Sequence, residues 1–378
     1  MIPIFLNKYD VDECLKQIKE CLESGWTGQG FKTYEFEEEW KKYTGHPYAH
    51  MLCTGTAALN LGIQILKEQN GWQEGDEIIS TPITFIATNN AVLVNGMKVR
   101  FADVDNSLCL DYKDVEQKIT ERTRAVIYVG LGGNAGHFEE IVELCRKHNL
   151  KLILDAAHMA GTRLNGITPG LLADMTIYSF HTTKNLSTAD AGMLCFRDEE
   201  NDAKARSLSW NGIDTKTSPA KYERFYKWKY NISSVQDAYN SNSIMAAIAL
   251  AQLPHLDHEN EYRRQIAQWY DDAFTDVDGI ELVEIPDNCI SARWIYQILV
   301  QDRDALMEFL KEHGIGCALH YLDNTEYPMY SEQYGQCKKA QYVSEHAISL
   351  PCHLQLTYND VMQIANTVKT YIVREKKR

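Results

Sequence analysis

Lys184 stands in the run Ser179-Phe180-His181-Thr182-Thr183-Lys184-Asn185, among hydroxyls and a histidine, with no acid beside it. A lysine without a carboxylate partner can be held partly unprotonated and then attack a carbonyl carbon; a solvated surface lysine is the plainer reading. Asp155 ends the apolar run Lys151-Leu152-Ile153-Leu154-Asp155 and is followed by Ala156-Ala157-His158. A carboxylate closing a buried strand needs a cation or N–H donors to offset its lost hydration. Those come from a bound group, or from the next turn, which Asp155 would then cap. Cys53-Thr54-Gly55-Thr56-Ala57-Ala58-Leu59 passes from an apolar stretch through a glycine into helical spacing. Free N–H groups at such a helix start attract phosphate, and the same turn also serves as a simple cap. Pro82-Ile83-Thr84-Phe85 sets an aromatic ring just beyond Glu77-Ile78-Ile79-Ser80-Thr81, as a stacking plate or as core.

Together the four segments supply what pyridoxal 5′-phosphate requires. Its aldehyde needs an amine, its phosphate an anion cradle and its ring an apolar face. Its ring nitrogen needs a carboxylate to stay protonated, because that charge makes the ring an electron sink. The elements that must position these residues alternate. Apolar strands are expected at 48–53, 77–81, 99–104, 124–130, 151–155 and 175–180, and helical spacing at 36–43, 57–68, 84–95 and 138–148. This alternation predicts an α/β domain with a mostly parallel sheet covered on both faces. Ligands of such sheets sit beyond the carboxyl ends of the strands, where all four segments fall. From about residue 240 the texture changes to a long helix over 244–253, shorter strands at 280–284 and 294–300, and further helices. That is the grammar of a smaller α+β domain. The expected division is 1–240, an N-terminal segment and large cofactor domain, and 241–378, a linking helix and the small domain. Residues 210–229 read as a long loop holding four lysines and an arginine.

Composition bounds the function. The chain has 378 residues and a formal charge of −14, from 38 Lys+Arg against 52 Asp+Glu. With 44% hydrophobic residues it has ample material for packed cores,. The acidic balance argues against nucleic acid as a partner, although an anionic small molecule can still meet a local cluster of cations. The 10 cysteines are scattered without any C-x-x-C pair, which predicts reduced packing residues and no metal site. The opening Met1-Ile2-Pro3-Ile4-Phe5-Leu6 is too short for a signal peptide. The uncharged stretch 238–256 contains too many polar residues for a membrane span,. A cytoplasmic location is expected.

The motifs resemble the DegT/DnrJ/EryC1/StrS family of sugar aminotransferases over nearly the whole chain. The resemblance begins at Glu23-Ser24-Gly25-Trp26-Thr27-Gly28-Gln29-Gly30 and continues through TGTAAL (54–59), DEIISTPITFIAT (76–88), LILDAAHMAGT (152–162) and YSFHTTKNLSTADAGML (178–194). It runs on through AAIALAQL (246–253), GIGCALHY (314–321) and AISLPCHLQLT (347–357). The resemblance implies an aspartate-aminotransferase-like fold, type I among pyridoxal-phosphate proteins. It also implies transfer of an amino group from L-glutamate to a nucleotide-linked keto sugar, 4-keto-6-deoxy or 3-keto. Carried over by position, Lys184 would bind the cofactor aldehyde and Asp155 would pair with the ring nitrogen. His158 would lie near the ring oxygen, Phe85 on the ring face, and Gly55, Thr56 and Ser179 at the phosphate. Trp26, Thr27, His320 and Tyr321 match segments that line the sugar site in relatives. Lys227 and Lys229, with Lys221 and Arg224, are candidates for the substrate's diphosphate. Relatives are homodimers with shared sites, a partner asparagine touching the phosphate; Ala238 stands at that position here. A sensor that kept the cofactor fold without catalysis, or a lyase on it, is the alternative. An intact Lys184, where some relatives carry histidine and act as dehydratases, favours transamination.

Overall fold

The computed structural model describes residues 1–214 and 231–375. Its centre is a seven-stranded sheet of β1 (Tyr48–Leu52), β2 (Glu77–Ser80), β3 (Lys98–Phe101), β4 (Thr123–Val129), β5 (Lys151–Asp155), β6 (Met175–Ser179) and β7 (Gly192–Phe196). The spatial order is β1-β7-β6-β5-β4-β2-β3. β7 runs antiparallel to both of its neighbours, and the remaining pairs are parallel. The cause lies in the connections. Parallel neighbours need a crossover, whereas β6 and β7 are joined directly by residues 180–191, so the chain turns back. That return loop carries Lys184.

The helices α1 (Val11–Glu23), α2 (Phe31–Thr44), α3 (Gly55–Asn70), α4 (Ala87–Val94), α5 (Tyr112–Lys118), α6 (Phe138–Lys147) and α7 (Glu199–Leu208) accompany this sheet. Helix α3 starts at Thr54, whose hydroxyl accepts from Ala57 N, and stops at Gly71 with φ 64°, the left-handed conformation that glycine adopts without strain. Phe36 and Trp40 of α2 meet Phe180 and Tyr178 edge-on, which seats α2 over the end of β6. Beside them Glu37 binds His50 of β1 (3.0 Å) and Arg206 of α7 (2.8 Å), all but out of water.

The second core packs a three-stranded antiparallel sheet against helices. Its strands are β8 (Ile280–Leu282), β9 (Tyr296–Val300) and β10 (Ala347–Leu350), with β9 in the middle. Helices α8 (Ser243–Gln252) and α9 (Leu256–Phe274) lead into it, and α10 (Arg303–Glu312), α11 (Lys338–His346) and α12 (Tyr358–Glu375) follow. Ile266, Tyr270, Phe274, Leu306, Val361 and Val368 fill its interior. The N-terminal residues reach this core as well: Ile2 N donates to Gly314 O (2.8 Å) and Gly316 N to Ile2 O (2.7 Å). Among the described residues no helix is long and apolar enough to cross a membrane.

Candidate active site

Asp155, at the carboxyl end of β5, is buried. Its Oδ2 accepts from the Thr88 hydroxyl of α4 (2.8 Å) and its Oδ1 from Ala157 N (3.1 Å). The expected capping of the next turn is therefore present, but it uses one oxygen only. Burial pushes the Asp155 carboxyl up, against the pull of these two donors and of the Lys184 charge. No cation lies within ion-pair distance of it among the described residues, so each oxygen has acceptor capacity left.

Lys184 is fixed through its backbone, whose N–H donates to His181 O (2.8 Å). Its Nζ lies 3.8 Å from the ring centroid of Trp294, and among the described residues it forms no hydrogen bond or ion pair. Burial lowers its pKa to about 7, and the Asp155 charge opposes that only in part. An amine normally charged at neutral pH is thus about half neutral there. The plain reading of a solvated lysine does not hold.

His158 stacks on Trp294 at 3.8 Å and 18°. Its Nδ1 faces Gly132 N and its Nε2 faces the Tyr321 hydroxyl, both at 3.4 Å. Burial first, then the Lys184 and His320 charges, hold its pKa well below the usual range, so it is neutral. His320 Nδ1 contacts the Ser349 hydroxyl (2.9 Å), and its pKa is pressed down to about 4 by burial and Lys184. Tyr321 stands between His158 and Phe85, its ring 6.0 Å from the latter. Phe85 is 57% exposed, which rules out the core reading and leaves an open aromatic face.

At the start of α3 the N–H groups of Gly55 and Thr56 donate to nothing among the described residues, as first-turn amides do,. A Cβ on Gly55 would come within 3.1 Å of Ser179 Cβ, so the glycine lets the turn close on β6 and brings the Ser179 hydroxyl to the same corner. Gly192 is more constrained still. Its Cβ would meet Thr54 C and O at 2.5 Å and Gly55 N at 2.6 Å. A corner of free N–H groups and a hydroxyl, an open aromatic face, a buried carboxylate with spare lone pairs and a half-neutral amine fit pyridoxal 5′-phosphate.

Lys184, Asp155, His158, His320 and Tyr321 thus converge, with Phe85 beside Tyr321. Gly55, Thr56 and Ser179 form their own corner. Trp26 and Thr27 sit apart on the surface, the Trp26 indole turned onto its own loop by a bond to Gln29 O (2.7 Å). Lys221, Arg224, Lys227 and Lys229 lie outside the described residues. Ala238 pairs with Trp210 in a backbone bridge. Sequence reasoning missed Thr88, Gly192 and Trp294. Thr88 and Gly192 fall inside the motif blocks, and Trp294 begins a run that reads only as strand.

A mostly parallel seven-stranded sheet, a lysine loop returning into it and a small antiparallel sheet define fold type I of the pyridoxal-phosphate enzymes. The aminotransferase TlmJ of Streptoalloteichus hindustanus shares the fold with a TM-score of 0.90 at 28% identity, covering 100% of both chains. The chain belongs to the DegT/DnrJ/EryC1/StrS aminotransferase family, whose model matches residues 8–369, and it is an aminotransferase. It is similar to the spore coat polysaccharide biosynthesis protein SpsC of Bacillus subtilis, 32% identical over 95% of this chain and 94% of that protein. It also resembles the UDP-4-amino-4,6-dideoxy-N-acetyl-beta-L-altrosamine transaminase of Campylobacter jejuni, 31% identical over 98% and 97%. Spr1654 of Streptococcus pneumoniae, solved in a PLP-form, superposes with a TM-score of 0.89 at 26% identity, over 98% of each chain.

Proposed function

We infer that this chain transfers an amino group from L-glutamate to the keto group of a nucleotide-linked sugar, with pyridoxal 5′-phosphate, as a homodimer. The relative named for a UDP-linked amino sugar supports the substrate class, and a 4-keto-6-deoxy sugar, or a 3-keto one, fits it. The observation that carries the reading is Lys184: an amine set 3.8 Å over the Trp294 ring, without an ion pair among the described residues, its pKa lowered by burial to about 7 with only the buried Asp155 charge opposing. When bound, the cofactor supplies an aldehyde that condenses with amines and a ring that takes up the electron pair left as a donor Cα loses its proton.

The chain's own residues do the rest. Lys184 Nζ would be the amine that holds the aldehyde. As a free amine it would serve as general base and then acid toward the donor Cα proton, for which a pKa near the working pH is the useful value,. Asp155, kept in place by Thr88 and Ala157 N, would hold the positive charge on the ring nitrogen. His158, neutral and wedged between Trp294 and Tyr321, would be the group beside the ring oxygen. The Gly55 and Thr56 amides and the Ser179 hydroxyl would hold the phosphate, and Phe85 would cover a ring face. The purified protein is expected to show an absorbance band near the visible edge that glutamate bleaches and a keto nucleotide sugar restores. Lys184→Ala should abolish turnover while leaving the fold intact. A Lys184→Ala variant that still turns over would refute the assignment, and no bleaching by glutamate would favour the non-catalytic sensor.

A further inference from the structure

Trp294 has no part in the cofactor set above, yet two of the site's three nitrogen bases, Lys184 and His158, rest on its ring. It is buried and fixed from two directions. Its backbone N–H donates to Gly132 O (3.1 Å), and its indole Nε1–H donates to Thr183 O (2.7 Å), the carbonyl just before Lys184. The indole is thereby oriented by the same loop whose lysine it receives. Phe5 stacks at 5.6 Å and His320 meets it edge-on at 5.1 Å, so the ring has little freedom to turn.

An ammonium in a desolvated position needs electrostatic support. A carboxylate in contact would supply it as a fixed ion pair, raising the pKa and holding the side chain in place. An aromatic face favours the cation more weakly and without direction. That suits an amine which must leave its seat, react and return with a proton. The titratable groups facing Lys184 are Asp155 at the end of β5, His158 in the turn beyond, and His320 ahead of β10. None is in ion-pair contact with it among the described residues.

We propose that Trp294 is a positioning residue for Lys184, its indole face being the seat of the amine whenever Nζ does not carry the cofactor. The proposal rests on Lys184 as the reacting amine of the function inferred above. The full chain, freed of cofactor, tests it through indole fluorescence between about pH 5.5 and 9. A step with its midpoint near 7 is expected, matching the lysine, and it should vanish in both Lys184→Met and Trp294→Phe. Its absence from the wild type, or its survival in either variant, overturns the proposal. A second readout is the pH profile for capture of added pyridoxal 5′-phosphate. In Trp294→Leu the profile should move to lower pH by about half a unit or more, because the ammonium has lost its ring. Trp294→Phe, which keeps an aromatic face, should move less, and a Trp294→Leu profile that coincides with the wild type counts against the proposal. Failure of the wild type to capture the cofactor at Lys184 would sink the functional reading instead, while the fluorescence step would still decide the role of Trp294.

Discussion

At the scale of single residues the site depends on opposed shifts: burial presses the amine of Lys184 toward neutrality and the carboxyl of Asp155 toward protonation. On the proposed assignment the ring nitrogen would reverse the second tendency, bringing a cation to a carboxylate that has none within ion-pair distance among the described residues. Asp155→Asn removes this carboxylate, so on the proposed assignment the ring nitrogen would no longer stay protonated. Half-transamination of glutamate, followed by single-turnover absorbance, should slow by about a hundredfold or more, while cofactor is still captured. An unchanged rate would take Asp155 out of the scheme. Both residues were legible in the sequence, because each closes or follows an apolar run and the fold places strand ends together. Trp294 was not. Its importance comes from lying against Lys184 and His158, residues far from it in the chain, and nothing in the Ser291-Ala292-Arg293-Trp294 spacing announces that meeting.

At the scale of elements, the alternating half of the sheet was readable from its apolar runs, and β7 was not. Gly192-Met193-Leu194-Cys195-Phe196 follows β6 through a loop rather than a helix, so the βα alternation gives no cue, and an antiparallel strand results. Its first residue has a second duty as the floor of the turn at 54–56. Gly192→Ala would drive a methyl into backbone atoms at 2.5 Å, and backbone cannot give way as a flexible side chain would. Overpacking of this kind costs about 1–3 kcal/mol. The turn should therefore shift and cofactor affinity fall by about tenfold to a hundredfold, as read by titration, with circular dichroism unchanged. Helix α2 offers a second test. Burial alone would raise the Glu37 carboxyl, but Arg206 and the bonds from His50 and Met51 N hold it down to about 2, against an ordinary 4.5. A carboxyl depressed by folding stabilises fully above its unfolded pKa and loses that contribution as pH falls. Glu37→Gln leaves Arg206 paired with Asp202 alone and should cost about 1–3 kcal/mol at neutral pH. Urea unfolding should show the gap between the two proteins narrowing from pH 4.5 toward 2.

At the scale of the molecule, the two cores meet around the site, and the N-terminal residues tie them together. Ile2 pairs with Ile315 beside the second core, Phe5 stacks on Trp294, and Asn7 donates to Thr182 O in the lysine loop. Tyr9 closes the strap, its hydroxyl accepting from Ser187 (3.1 Å) and lying 3.4 Å from Thr188 O. One segment of chain therefore spans from the small sheet to the residues on either side of Lys184. None of this was visible in the opening sequence, where Met1-Ile2-Pro3-Ile4-Phe5-Leu6 shows only a short apolar run. The contacts are individually small, with partly buried side chains and a few hydrogen bonds of about 0.5–1.5 kcal/mol each, so the fold should survive without them. The lysine loop should not keep its order. Deleting residues 1–9 is expected to raise amide exchange several-fold across residues 181–188 and to weaken cofactor retention. Exchange in β4 and β5, buried at the middle of the sheet, should stay near the wild-type rate,. Faster exchange throughout would mean that the strap supports the whole fold, and no change at 181–188 would mean that the loop holds Lys184 in place by itself.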